Sequence, residues 1–162
     1  MSHEYTYDIS MFRDTFETRF TYLNGFLRNV SRFGSRPALF DPHSGRRWTY
    51  RELNAEANRL AHALRADGVG KNDVVMFTLL NSPEFVFCYL AAHKIGAIAC
   101  PVNYRQGAGE IALVIDDSTP KAFIYDAEFG ELSGGALDLC ESKPAIKIVV
   151  GADDAVPAGQ VR

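Results

Sequence analysis

No stretch of this sequence approaches the ~18 consecutive apolar residues of a membrane-spanning helix, and the first residues, Met1-Ser2-His3-Glu4-Tyr5, lack the basic segment and apolar core of a secretory leader. The chain therefore reads as cytoplasmic, with no transmembrane segment. Excess positive charge is also missing: 17 Lys and Arg against 20 Asp and Glu leave a net charge of -3, so no basic field favours a nucleic-acid partner. Cysteine is scarce. Cys88, Cys100 and Cys140 stand apart, without the CxxC spacing of a metal or redox centre, and read as small buried hydrophobes. Internal repeats, low-complexity tracts and a second compositional regime are absent as well. With 162 residues, this points to one core and not to a complete two-domain enzyme.

Familiar catalytic signatures are missing too. Gly68-Val69-Gly70-Lys71 lacks the third glycine of a dinucleotide fingerprint and precedes a strand where that motif must follow one, so it reads as a turn. Ser133-Gly134-Gly135 is not followed by Lys-Ser or Lys-Thr and reads as a loop, not a phosphate cradle. His43, His62 and His93 are scattered over a turn, a helix and a helix end, and no residue is assigned a catalytic or metal-binding role.

What is present is organised around residues 74–105. The apolar run from Val74 to Leu80 suits a strand covered on both faces. Asn81-Ser82-Pro83-Glu84 then supplies a polar cap, a proline for the first helical position and an acid for the first turn. The helix should run from Pro83 to Ile95 and close at Gly96, and Ala97-Ile98-Ala99-Cys100 forms a second strand ending at Pro101. Such a βαβ unit has parallel strands and a right-handed crossover. The expected fold class is α/β, a mostly parallel sheet flanked by helices. Ligands approach the carboxyl ends of such strands, so the loops 81–84 and 101–107 are the places to look.

On either side, the spacing predicts further elements. Ile9, Phe12, Phe16, Phe20, Leu23, Leu27, Val30 and Phe33 recur every three or four residues and mark one face of an amphipathic arm over residues 1–34. A break is expected at Asn24-Gly25. The stripe is expected to pack on the domain's own sheet in preference to a membrane or partner helix, because the opposite face is not notably basic. A short β-hairpin is predicted near residues 38–50, followed by a helix to about Asp67 opened by the capping box Thr49-x-x-Glu52. A weakly capped helix over 110–117, a strand over 121–125, a short helix over 136–141 and a strand over 145–150 complete the α/β subdomain, residues 35–150. Residues 151–162 read as a loose or cut tail.

Beyond what periodicity provides, the chain resembles the N-terminal part of the AMP-forming acyl-CoA synthetases, within the adenylate-forming superfamily of AMP-binding enzymes. The matching segments run in order: Arg36-Pro37-Ala38-Leu39; Trp48-Thr49-Tyr50-Arg51-Glu52-Leu53 with Asn58-Arg59-Leu60-Ala61; and Gly68-Val69-Gly70-Lys71-x-Asp73-Val74-Val75. They continue through Asn81-Ser82-Pro83-Glu84-Phe85, Tyr89-Leu90-Ala91 with Lys94-x-Gly96-Ala97, Pro101-x-Asn103-x-Arg105 and Asp117-Ser118-x-Pro120-Lys121. The resemblance implies the first part of the synthetases' N-terminal domain, from a ligase of fatty acid or aromatic acid metabolism. Such a ligase uses ATP, Mg2+ and coenzyme A, making an acyl-adenylate from a carboxylic acid and then its thioester. It also implies a coenzyme A phosphate contact for Arg105; Asn103, a short polar side chain, is expected instead to tie the loop's own backbone. The family's Gly-rich phosphate loop ending in Pro-Lys, its Tyr-Gly-x-Thr-Glu segment, its ribose-binding Asp and its late catalytic Lys do not occur. The isolated chain is thus expected to be an inactive opening portion that binds none of these cofactors by itself, with sheet edge and apolar surface free for pairing into a homodimer. The alternatives are a non-catalytic binding or oligomerisation module of the same fold, and part of a luciferase-like or amino-acid adenylation enzyme.

Overall fold

The computed structural model describes residues 9–151. Its centre is a four-stranded parallel sheet with strand order β4-β3-β5-β6, built from β3 (Val74–Thr78), β4 (Ile98–Pro101), β5 (Ala122–Asp126) and β6 (Ile146–Val150). In register, Phe77 lies between Pro101 of β4 and Ile124 of β5. Strand alternation sends Val75 and Phe77 to one face and Met76 to the other, and both faces are covered. On the first, α3 (Tyr50–Ala66) contributes Ala61 and Leu64, and α4 (Pro83–Ile95) contributes Cys88, Ala91 and Ala92. On the second, α5 (Ala108–Ser118) and α6 (Gly130–Leu139) bring Ile111, Ile115 and Ala136 against Phe123 and Tyr125.

The βαβ unit forms as its residue chemistry predicts. Ser82 Oγ accepts the Phe85 amide at 3.4 Å, Pro83 opens α4, and Gly96 closes it in the left-handed conformation at φ 73°. In the Thr49–Glu52 box, Thr49 Oγ1 accepts the Glu52 amide at 3.2 Å and the Glu52 carboxylate accepts the Thr49 amide at 2.8 Å. The antiparallel pair β1 (Pro37–Phe40) and β2 (Arg47–Thr49) is the expected hairpin. With α2 (Tyr22–Phe33) it packs on the outside of α3 and α4, where Phe26, Trp48, Leu53, Ala57 and Leu90 form a third apolar cluster.

The arm departs from expectation in two ways. Its break falls not at Asn24-Gly25, which lie inside α2, but between a short first helix α1 (Ile9–Phe12) with its π-helical turn (Arg13–Glu17) and the start of α2. Thr21 Oγ1 accepts the Asn24 amide at 3.2 Å, and Asn24 Nδ2 donates back to the carbonyls of Thr18 and Arg19, so a polar cap ahead of the Asn-Gly pair sets the break. Nor does the stripe pack on the sheet. Phe16 and Phe20 are 51% and 67% exposed, and the inward face of α2 is Leu23, Phe26, Val30 and Phe33, turned away from Leu27.

Further along, α5 begins two residues early because the Glu110 carboxylate reaches back to the Gly107 amide at 2.8 Å. Ser133-Gly134-Gly135 is not a loop but the middle of α6, which starts at Gly130 after a 3-10 turn (Ala127–Phe129) capped by Asp126. Two glycines are tolerated there because the helix is held by packing, with Ser133 and Ala136 buried. The expected loose tail lies outside the described residues, apart from Gly151. Among the described residues no helix is long and apolar enough to cross a membrane.

Candidate functional site

The two ends of the sheet carry different chemistry. At the amino ends, Asp73 Oδ2 accepts the Gly70 amide at 2.7 Å and Lys121 Nζ at 2.9 Å, while Lys121 Nζ also reaches the Gly68 carbonyl at 2.6 Å. Gly68, at φ 89°, makes the turn that presents that carbonyl. The Lys121 ammonium, with the Gly70 amide, holds the Asp73 carboxyl below its ordinary range. This clasp joins the β3 and β5 starts and is structural.

At the carboxyl ends, the hairpin loop leans over the start of α4 and encloses a cleft of about 510 Å3, lined among others by His43, Arg46, Asn81, Ser82, Glu84 and Tyr104. The loop is held from within: Asp41 accepts the His43 amide at 3.0 Å, the Ser44 amide at 3.2 Å and the Ser44 hydroxyl at 2.5 Å. The Ser44 hydroxyl, then the His43 amide, keep the Asp41 carboxyl ionised to lower pH than usual. Arg46 lies 4.5 Å over the Trp48 ring and 3.6 Å from Glu56, fixing one wall. Trp48 itself is buried, and its indole Nε1 has no hydrogen-bond partner among the described residues.

Beside this cleft runs the loop after β4. The Val102 amide extends the ladder to the Phe77 carbonyl at 2.9 Å, and Asn103 Oδ1 then accepts the Arg105 amide at 3.0 Å, the backbone-tying role expected of it. Tyr104 stacks flat on Phe129 at 4.9 Å, and the Arg105 guanidinium rests 5.5 Å from the Tyr104 ring. Arg105 is exposed and pairs with no acid among the described residues, so its donors are available to an anion. It sits on the predicted loop but does not line the cleft, whereas Asn81, Ser82 and Glu84, read as helix-start residues, do. The contribution of the hairpin loop has no local signal, since only tertiary packing brings Asp41, His43 and Arg46 to the sheet's carboxyl edge.

Burial pushes the Cys88 thiol up to about 12, with Glu84 adding to it, and burial raises Cys100 too. His93 packs against Tyr89 at 4.7 Å and Tyr22 at 5.9 Å, far along α4 from the cap. Among the described residues no three His, Cys, Asp or Glu converge to hold a metal. The arrangement can bind and position a ligand.

A family model described as AMP-binding enzyme matches residues 26–161. The 3-hydroxybenzoate–CoA/4-hydroxybenzoate–CoA ligase of Thauera aromatica is 43% identical over 107 residues, 66% of this chain and 20% of the ligase. The chain thus spans about a fifth of the length of that relative. Among solved structures, the fatty acyl CoA synthetase of Mycobacterium tuberculosis superposes with a TM-score of 0.72 at 31% identity, covering 77% of this chain and 25% of that one. The luciferase-like enzyme of the mealworm Zophobas morio shares the fold, with a TM-score of 0.78 at 19% identity over 90% of this chain and 36% of its own.

Proposed function

The chain belongs to the AMP-binding enzyme family, and on that premise we propose that it is the opening portion of an ATP-dependent acid–CoA ligase. The parent activates a fatty or aromatic carboxylic acid as its acyl-adenylate and transfers the acyl group to coenzyme A. The observation that carries this reading is the ordered series of family segments laid on the parallel sheet, with the Pro101-x-Asn103-x-Arg105 loop at its carboxyl edge. A carboxylate is a poor electrophile until one oxygen is made a good leaving group, and adenylation does that. Positioned donors and cations then stabilise the transferring phosphoryl charge.

The described residues offer no cradle for ATP and Mg2+: the sequence holds no Gly-rich phosphate loop ending in Pro-Lys, and among the described residues no three His, Cys, Asp or Glu converge to hold a metal. No step is therefore assigned through that group. Coenzyme A is different. Arg105, exposed, paired with no acid among the described residues and held on a loop braced by Asn103 and Tyr104, suits a phosphate of the cofactor, because a guanidinium can grip two oxygens at once. Arg105 is in this reading a binding residue and not a catalytic one. The reading also includes a cytoplasmic location, and pairing of isolated chains through the outer strands β4 and β6, where Ile98 is 52% exposed.

The test uses the full product of the gene. Arg105→Ala should raise KM for coenzyme A by roughly ten- to a hundredfold, the loss of a charge-assisted hydrogen bond, and leave acid-dependent ATP–pyrophosphate exchange unchanged. An unchanged KM would remove the coenzyme A role. Absence of any thioester product, with the coding sequence running on without a Gly-rich phosphate loop, would favour the non-catalytic module.

A further inference from the structure

The arm carries apolar surface that the described residues leave uncovered. The rings of Phe12, Phe16 and Phe20 follow one another at 4.9 and 5.8 Å, and Phe16 and Phe20 are each more than half exposed. Phe20 and Arg28 line the same hollow, so this aromatic ladder runs up to the outward face of α2, where Leu27 is exposed as well. That face is basic. From Thr18 to Phe40 the sequence holds Arg19, Arg28, Arg32 and Arg36 and no Asp or Glu, although the charges just before, Arg13, Asp14 and Glu17, are mixed. Arg28 and Arg32, four residues apart, share one side of α2. Arg32 and Arg36 both lie over the Phe33 ring, at 5.4 and 5.2 Å from its centroid, and a Cβ on the adjacent Gly34 would meet the Arg51 guanidinium at 3.3 Å. Arg28, Arg32, Arg36 and Arg51 are exposed, and among the described residues none of them forms an ion pair. A two-fold contact between copies of the chain would bring two such arginine patches together, which like charge opposes. Exposed aromatic rings beside unpaired arginines instead complement a surface that is negative outside and apolar just beneath.

We propose that the aromatic ladder and the outward face of α2 dock the protein on an anionic bilayer surface, with the arginines at lipid phosphates and Phe16 and Phe20 at the boundary between headgroups and acyl chains. The arm lies on the bilayer and does not span it, in keeping with the absence, among the described residues, of a helix long and apolar enough to cross. Docking is peripheral and reversible, because its electrostatic part is screened by salt. It does not depend on the ligase reading: its residues lie on the arm and at the start of α3, not at the carboxyl edge of the sheet. The amphipathic stripe thus finds its partner outside the fold and not on the sheet.

Binding of the full gene product is read by co-sedimentation with vesicles of phosphatidylcholine alone and of phosphatidylcholine with roughly one-third phosphatidylglycerol, at about 0.1 M and about 0.5 M salt. We expect binding to the anionic vesicles at the lower salt, and little to the neutral ones or at the higher salt. Each arginine near such a surface is worth roughly fivefold in partitioning, so Arg28→Gln/Arg32→Gln should weaken binding roughly thirtyfold, whereas Arg28→Lys/Arg32→Lys should keep it within about threefold. Arg65→Gln/Lys71→Gln makes the same change of net charge outside the arm and should cost less than about threefold. Phe16→Ser/Phe20→Ser should weaken binding at least ~tenfold, and the emission of Phe20→Trp should move to the blue on anionic vesicles. All of these positions are exposed, so circular dichroism and melting temperature should not change. Equal binding to neutral and anionic vesicles, no binding to either, or equal effects of the two glutamine pairs would overturn the proposal. So would arginine-dependent binding indifferent to Phe16→Ser/Phe20→Ser, the mark of a soluble polyanion, or a dimer in light scattering that the serine pair disperses and anionic vesicles do not.

Discussion

Replacing Phe77 by alanine tests the architecture where it is least forgiving. Phe77 is fully buried in the middle of β3, with Pro101 of β4 and Ile124 of β5 beside it and the Phe85 ring meeting its edge at 5.1 Å and 84°. Strand ladders on both sides fix the backbone, so the hole left by the ring cannot close by local collapse. The loss should therefore fall in the upper half of the usual 3–5 kcal/mol for truncating a buried phenylalanine. With a urea m-value of about 2 kcal/mol/M, the unfolding midpoint should drop by roughly 2 M. The assay is equilibrium urea unfolding followed by far-ultraviolet circular dichroism and by Trp48 fluorescence, whose transitions should coincide. Phe16→Ala on the exposed arm is the comparator and should move the midpoint by less than about 0.3 M, the effect of a surface change of at most ~0.5 kcal/mol. A drop below about 0.5 M for Phe77→Ala, or equal drops for the two variants, would refute the placement of β3 between two parallel neighbours.

Gly96→Ala should destabilise by about 1–2 kcal/mol in the same assay, since alanine must take φ 73° with its Cβ 3.4 Å from the Lys71 side chain. Cys88, pushed up to about 12 by burial, holds on the order of one thiolate in ten thousand at pH 8, so thiol titration of the native chain should miss it and urea should reveal it. Asp73→Asn should lose stability relative to wild type at neutral pH. Asp73 is held below its ordinary 3.8 by Lys121 and the Gly70 amide, so the folded state binds its proton more weakly than the unfolded state does. Its contribution is therefore complete above the unfolded value and fades as pH falls through the folded one. The gap between the two proteins should narrow as an acid melting series falls below the ordinary carboxylate range, and a gap that does not narrow would contradict the clasp.

The unit from Val74 to Pro101 was legible because each signal is local and redundant: an apolar run, a cap, an N-terminal proline and a closing glycine all demand the same boundaries. The hairpin and the Thr49–Glu52 box were legible for the same reason. The arm was less so. Its spacing marks a helical face truly, but spacing cannot say what that face meets, and a threonine cap overrode the Asn-Gly pair as the place where the helix restarts. Likewise Ser133-Gly134-Gly135 looks like loop material until its burial beside α5 is seen. Of the candidate site, Arg105 and Asn103 could be placed from the strand ends alone. The wall formed by Asp41, His43 and Arg46 could not, because it depends on how the hairpin docks over α4 through Trp48 and Phe87, whose rings meet at 5.9 Å.

The most direct measurement is acid-dependent ATP–pyrophosphate exchange by the full gene product, run beside the 162-residue chain with palmitate and 3-hydroxybenzoate as acids and coenzyme A added to trap thioester. The proposed origin in an acid–CoA ligase predicts exchange and thioester from the full product with at least one of these acids and neither from the 162 residues alone. Exchange by the short chain, or none by the full product with any carboxylic acid, would contradict it.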